Sequence, residues 1–178
     1  SEAGESALVL GSCMDAIATT FFSLLQAGDH LLVQKTLYGG TFAVLNEDLK
    51  RFGVTFDYID AGKPETWKVK PNTKIIYVES ISNPLMEVPE LQSVPEFARA
   101  HGLIAVIDNT FASPVNFQPL KLGFDISLHS ATKYLNGHSD VIAGAVIGRK
   151  ELIKKINITA AHLGGTLDPH ACFLLHRG

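Results

Sequence analysis

Ser130-Ala131-Thr132-Lys133-Tyr134 follows Asp108-Asn109-Thr110-Phe111, with 25 positions (133 − 108) separating the aspartate from the lysine. Each group closes an apolar, strand-like run: Leu103-Ile104-Ala105-Val106-Ile107 before the aspartate, Asp125-Ile126-Ser127-Leu128-His129 before the serine. Ligands of open α/β sheets bind beyond the carboxyl ends of the strands, so both groups are expected to converge on one ligand. A carboxylate, two hydroxyls and an amine suit pyridoxal phosphate (PLP). Lys133 would form a Schiff base with its aldehyde, Asp108 would pair with the pyridinium nitrogen, and the hydroxyls would donate to the phosphate.

Each piece also has an ordinary reading. A Schiff-base lysine must lose its proton, which desolvation and a nearby cationic centre bring about. A lone lysine is usually a solvated surface charge, but Lys133 lies in a polar turn directly after an apolar strand, among Ser130, Thr132, Tyr134 and Gly137-His138-Ser139-Asp140. Asp108 could hold a ring nitrogen protonated or could cap a turn. Gly11-Ser12-Cys13-Met14-Asp15 opens a helix after the strand-like residues 7–10. Free amides at such a helix start cradle phosphate, although a plain N-cap has the same pattern. Tyr38-Gly39-Gly40-Thr41 permits close backbone approach and a ring stacked on a planar cofactor, or else a tight turn with an exposed tyrosine. Glu79-Ser80-Ile81-Ser82-Asn83-Pro84 ends another strand, where Asn83 could hydrogen-bond the cofactor's phenolic oxygen.

The elements that must position these groups follow from periodicity. Met14, Ile17, Ala18, Phe21, Phe22, Leu24 and Leu25 recur at helical spacing over 14–26, and Ala27-Gly28-Asp29 stops that helix. Further helices are expected over 41–51, closed by Gly53, over 89–101, ending at Gly102, and over 150–161. Short strands are expected at 30–33, 54–59, 74–78, 103–107, 125–129 and 141–147. Strands alternating with helices imply βαβ units and a mostly parallel sheet.

Composition narrows the classes. The 178 residues, 46% hydrophobic and 19% charged, suit one soluble globular domain with a sizeable core. A net charge of −3 with scattered Lys and Arg argues against nucleic-acid binding through bulk electrostatics. Cys13 and Cys172 make no disulfide framework, so a reducing cytosol is the default. His129, His138 and Asp140 lack metal-ligand spacing, and neither G-x-G-x-x-G nor a P-loop occurs. The apolar stretch 16–25 is too short and too polar to span a membrane, and no basic segment precedes it as in a signal peptide. The chain lacks an initiator Met and stops while still helical and apolar, which leads us to expect a segment of a longer protein.

Taken in order, Gly11-Ser12-Cys13-Met14, Tyr38-Gly39-Gly40-Thr41, Ser82-Asn83-Pro84, Asp108-Asn109-Thr110-Phe111 and 130–141 (SATKYLNGHSDV) resemble the Cys/Met-metabolism PLP enzymes. This is the group of cystathionine γ-lyases, cystathionine γ-synthases and methionine γ-lyases, and the likeness covers essentially the whole chain, with residues 169–178 similar to the helix leaving the family's large domain. The resemblance implies an α/β, three-layer αβα fold with a mostly parallel sheet, the large domain of the aspartate-aminotransferase-like (type I) transferases. Residues 1–178 would be that PLP-binding domain, without the N-terminal segment and the C-terminal small domain. By the same likeness Lys133 is the Schiff-base lysine and Asp108, with Thr110 nearby, serves the pyridine ring. Tyr38 stacks on the ring and handles the leaving-group proton. Ser130, Thr132 and the amides of Cys13 and Met14 hold phosphate, and Asn83 contacts the phenolic oxygen.

The implied activity is β- or γ-elimination on sulfur amino acids such as cystathionine, with γ-replacement as the alternative; the residues above serve both. A cytoplasmic homotetramer, built as a dimer of dimers, is implied as well. Two departures stand out. The family usually has Gly at the position of Cys13, which matters only if φ there must be positive. The family's chains are also longer: an upstream segment supplies Tyr and Arg to a neighbour's phosphate, and a C-terminal domain supplies the arginine for the substrate carboxylate. Residues 1–178 alone are therefore expected to fold but to turn over nothing, a cofactor-binding scaffold by themselves. Gly40, often Cys in methionine γ-lyases, tilts the likeness away from that subgroup.

Overall fold

The computed structural model describes residues 2–178. Strands β1 (Ser6–Leu10), β2 (His30–Gln34), β3 (Thr55–Ile59), β4 (Thr73–Glu79), β5 (Ile104–Asp108), β6 (Ile126–Ser130) and β7 (Gly144–Gly148) form one sheet in the order β1-β7-β6-β5-β4-β2-β3. From β6 across to β3 every pair is parallel, while β7 runs antiparallel to both β6 and β1. The helices are α1 (Cys13–Leu24), α2 (Gly39–Ala43), α3 (Ser93–His101), α4 (Ser113–Asn116), α5 (Pro119–Leu122), α6 (Lys150–Leu163) and α7 (Pro169–Arg177).

The central strands are continuous apolar runs because both faces of the sheet are covered. Alternation along β4 sends Ile75 and Tyr77 into a core with Ile17 and Phe21 of α1 and Ile156 of α6. Ile76 and Val78 enter the opposite core, with Val94 and Ala98 of α3 and with Trp67. The result is the three-layer, mostly parallel αβα architecture expected from the sequence. Leaving β2, the chain carries Leu45 and Leu49 into the α1-side core; leaving β4, it carries α3 to the other face. Where successive connections depart to opposite faces, a crevice opens at the strand ends.

Most boundaries fall within two residues of the sequence expectation, and three elements depart further. The helix read over 89–101 begins at Ser93; ahead of it Ser93 N closes a turn onto Glu90 O (3.1 Å), and the Glu90 amide donates to Ala61 O (2.9 Å) in another segment. The helix read over 41–51 is irregular: α2 runs on through a wide turn at Val44–Asp48 and a tight one at Leu49–Phe52, then stops at Gly53 (φ 73°). The strand read over 141–147 begins only at Gly144, since residues 141–143 close a loop onto Thr132.

Helix α1 points its first turn at the crevice. Ser12 Oγ accepts from Asp15 N (3.0 Å), and the Asp15 carboxylate accepts from Gly11 N (3.2 Å) and Thr19 Oγ1 (2.9 Å), a reciprocal cap that fixes the helix start. Gly144 of β7 lets that start approach, because a Cβ there would lie 2.0 Å from Ser12 O. Backbone cannot yield as a side-chain end can. Gly144→Ala is therefore expected to cost roughly 1–3 kcal/mol through overpacking. Urea unfolding of the variant should show the lowered midpoint, and an unchanged midpoint would disprove the tight approach.

Candidate cofactor site

A cavity of about 310 Å³ opens at the carboxyl ends of β4, β5 and β6. It gathers seven of the residues read from the sequence: Cys13, Tyr38, Asn83, Asp108, Thr110, Ser130 and Lys133. Strand alternation explains part of this convergence. Asp108 and Ser130 lie two residues beyond Val106 and Leu128, so they share the α1-side face with them.

Asp108 is buried, and Thr110 braces it. Its Oδ1 accepts from Thr110 N (2.9 Å) and Thr110 Oγ1 (2.5 Å), while Thr110 Oγ1 accepts from Ser130 N (2.7 Å). Thr110 thus ties the end of β5 to the end of β6. Burial pushes the Asp108 carboxyl above its ordinary range, opposed by the Thr110 hydrogen bonds and by the His129 ring. The brace occupies Oδ1 and leaves the other oxygen for a donor in the cavity.

Glu79 also lines the cavity, and sequence reasoning missed it as a site residue. It ends β4 as the register partner of Asp108 and is 4% exposed. Its two oxygens accept from Tyr38 N (2.7 Å) and Asn83 N (3.2 Å), and its own amide donates to Gln34 Oε1 (2.9 Å). Burial pushes its carboxyl up to about 7, with repulsion from Asp108 adding to the shift and the two amides opposing it. The one available signal was a charged residue closing a strand whose preceding positions are nearly all buried.

The start of α1 keeps donors to spare. Ser12 caps Asp15 N, and among the described residues the amides of Cys13 and Met14 have no acceptor. Cys13 is not among the residues with left-handed backbone, so a side chain is tolerated at this position. Burial, with the charge on Asp108 adding, pushes the Cys13 thiol up to about 12, which keeps it a neutral S–H. Met14 does not line the cavity. A Cβ on Gly40 would fall 2.5 Å from Met14 Sδ and 2.6 Å from Tyr38 Cε1, so the bare glycine leaves room for the tyrosine ring and the methionine beside it.

Two residues sit differently from expectation. Thr132 belongs to an adjoining cavity of about 660 Å³, and its hydroxyl accepts from Ala143 N (2.9 Å) and donates to Ala143 O (3.2 Å). The hydroxyl closes the 132–143 loop. Lys133 lines both cavities from the turn after β6 but is exposed, so this chain alone does not supply the desolvation that the chemistry asks of it.

Residues 1–178 match the family described as Cys/Met metabolism PLP-dependent enzyme. The chain belongs to this family. It is 44% identical over 183 residues to an L-methionine gamma-lyase of Treponema denticola, covering 99% of this chain and 46% of that protein. It is 41% identical over 180 residues to a cystathionine gamma-lyase of Bacillus subtilis, covering 99% of this chain and 47% of the relative. The crystal structure of cystathionine gamma-lyase from Lactobacillus plantarum complexed with L-serine superposes with a TM-score of 0.93 at 42% identity, over 99% of this chain and 47% of that one. The chain thus spans about half the length of these relatives.

The family's cofactor is PLP, and the donor set fits it. Two buried carboxylates side by side call for a cationic partner, which a pyridinium nitrogen provides. Unpaired amides at a helix start call for an anion, and an amine stands on the rim.

The acid pair gives a pH signature. Glu79 has a folded value of about 7 against 4.5 when unperturbed, so between these limits the folded chain holds a proton that the unfolded chain has released. Stability should therefore fall as pH rises through that window, by on the order of 3 kcal/mol in full. Glu79→Gln should remove this component, and urea unfolding followed from about pH 4 to about pH 8 would show it. Parallel profiles for the variant and the parent chain would contradict the assignment.

Proposed function

We propose that the protein carrying this chain is a PLP-dependent carbon–sulfur lyase that cleaves cystathionine or a related sulfur amino acid by β- or γ-elimination. One observation carries the reading: the buried, braced Asp108 carboxylate and the Lys133 amine line a single cavity beside the free amides of α1. Family membership and similarity to methionine and cystathionine gamma-lyases support it.

When bound, PLP supplies an electron sink at the substrate α-carbon. Lys133 is the residue that would hold the cofactor's aldehyde, and its amine would move the proton at the substrate Cα and beyond. Asp108 keeps the ring nitrogen protonated, which its braced Oδ1 and remaining free oxygen allow. The Tyr38 ring would stack on the cofactor, and its hydroxyl would handle the proton of the departing thiol. Asn83 contacts the phenolic oxygen. Ser130 and the Cys13 and Met14 amides hold the phosphate, with Thr132 shaping that wall through its loop and Thr110 acting through Asp108.

In this reading residues 1–178 are the PLP-binding large domain, and groups for the substrate carboxylate come from elsewhere in the full-length protein. A homotetramer accords with the exposed apolar side chains Leu85, Met86, Val88, Tyr134 and Ile142 near the site. Among the described residues no helix is long and apolar enough to cross a membrane, and the free cysteines accord with a cytoplasmic setting.

The reading is tested on the full-length protein. Incubation with cystathionine should release a thiol product, whereas incubation with an activated homoserine plus cysteine should form little cystathionine; the reverse pattern would make it a γ-replacement enzyme. Lys133→Ala should abolish borohydride-stable attachment of PLP while preserving the fold, and retained attachment would refute the role of Lys133. Asp108→Asn should leave PLP bound yet lower turnover by about a hundredfold or more, the scale on which loss of one electrostatic partner acts. Near-normal turnover would reduce Asp108 to a turn cap.

A further inference from the structure

We propose that Glu79 is the positioning residue of the cofactor site, its two carboxylate oxygens holding the backbone amides of Tyr38 and Asn83 so that one buried side chain sets both the stacking ring and the ligand of the phenolic oxygen. The proposal rests on reading the cavity as the PLP site.

The geometry is that of a clamp. Pairing of β2 with β4 reaches only Val33↔Tyr77, and beyond it the two strand ends diverge around the crevice. Glu79 stands past that last pair. Its amide is held by Gln34 Oε1 (2.9 Å) at the end of β2, and its carboxylate reaches Tyr38 N (2.7 Å) on one wall and Asn83 N (3.2 Å) on the other. The two residues it grips need an external hold. The Tyr38 ring is 41% exposed and starts α2 without a side-chain cap. Asn83 opens a loop whose Leu85, Met86 and Val88 are all exposed. Packing alone does not fix either residue, so the hydrogen bonds to Glu79 do.

The choice of side chain points the same way. A glutamine would fill this space without a buried charge beside Asp108, yet it has a single acceptor oxygen. Only a carboxylate presents a separate acceptor oxygen to each of the two amides, as Oε1 does to Tyr38 N and Oε2 to Asn83 N. A buried acid beside a second acid in a cavity wall, with both oxygens committed to the backbones of the walls, is one whose geometry serves the ligand.

The test uses the full-length protein stripped of cofactor and titrated with PLP. Glu79→Gln leaves one amide facing an NH₂ group, and the PLP dissociation constant is expected to rise roughly tenfold to a hundredfold, the scale of a lost hydrogen bond to a charged group. The circular dichroism of the bound cofactor, which reports its tilt, should change as well. The apo variant's urea midpoint near pH 8 should be unchanged or higher, because a buried charge has gone. Glu79→Asp keeps both acceptors on a shorter stem and should recover part of the affinity. It also serves as the second variant if Glu79→Gln does not fold. Wild-type affinity and dichroism in Glu79→Gln would overturn the proposal. So would a fall in apo stability that parallels the loss of affinity, or an Asp variant as weak as the Gln variant. Failure of the unsubstituted protein to bind PLP would instead sink the reading of the cavity, a separate result.

Discussion

Glu79 and Asp108 are register partners on adjacent parallel strands, with both carboxyls buried on the same side of the sheet. Two acids placed this way repel each other without water to screen them, and each is pushed toward its neutral form. The surrounding structure answers with donors: both polar hydrogens of Thr110 for one acid, the amides of Tyr38 and Asn83 for the other. Hydrogen bonds lower the cost of the pair without cancelling it. A cationic ring seated between the acids and the helix start would turn the remaining repulsion into attraction, and its binding would stabilise the fold by mass action. The site is therefore poorly matched to itself and well matched to its cofactor.

That mismatch explains which features could be read from residue types. Asp108 and Ser130 were accessible because an apolar run ending in a polar residue marks a strand end, and the period of two places 106 with 108 and 128 with 130. Lys133 was accessible as a cation in the turn beyond. Glu79 closes its strand in the same manner, yet its partners are backbone amides, one of them 41 residues away, and an amide leaves no trace in a side-chain pattern. The exposure of Lys133 was equally hidden. Apolar strand followed by polar turn promised burial, but covering the lysine takes atoms that residues 2–178 do not bring to it.

Boundaries failed where tertiary contacts overrode local preference. Val141-Ile142-Ala143 is as β-prone as the strand that follows, but the Thr132 amide and hydroxyl capture both backbone groups of Ala143 and bend the segment into the wall of the second cavity. Residues 90–93 form a turn instead of a first helical turn, and the Glu90 amide ties it to Ala61 of a distant segment. Both departures lie where the chain must turn around the strand ends. Propensity gives way at such points because the turn satisfies backbone groups that a longer strand or helix would satisfy elsewhere.

The opposite face of the same strand ends is polar and buried as well. Ser127 and His129 point away from the cavity, as alternation requires, and with Asn109 they surround the Glu2 carboxylate. Glu2 Oε1 accepts from Asn109 Nδ2 (2.9 Å) and Ser127 Oγ (3.2 Å) and contacts His129 Nε2. This cluster is buried, and the His129 ring pulls Asp108 back toward its ionised form against the push of burial. Strand alternation thus divides the two faces: 108 and 130 line the cavity, while 109, 127 and 129 build a polar layer beneath. Burial pushes the Asp108 carboxyl up, and the push is opposed jointly by Thr110 in its own turn and by His129, which contacts a carboxylate over a hundred positions upstream.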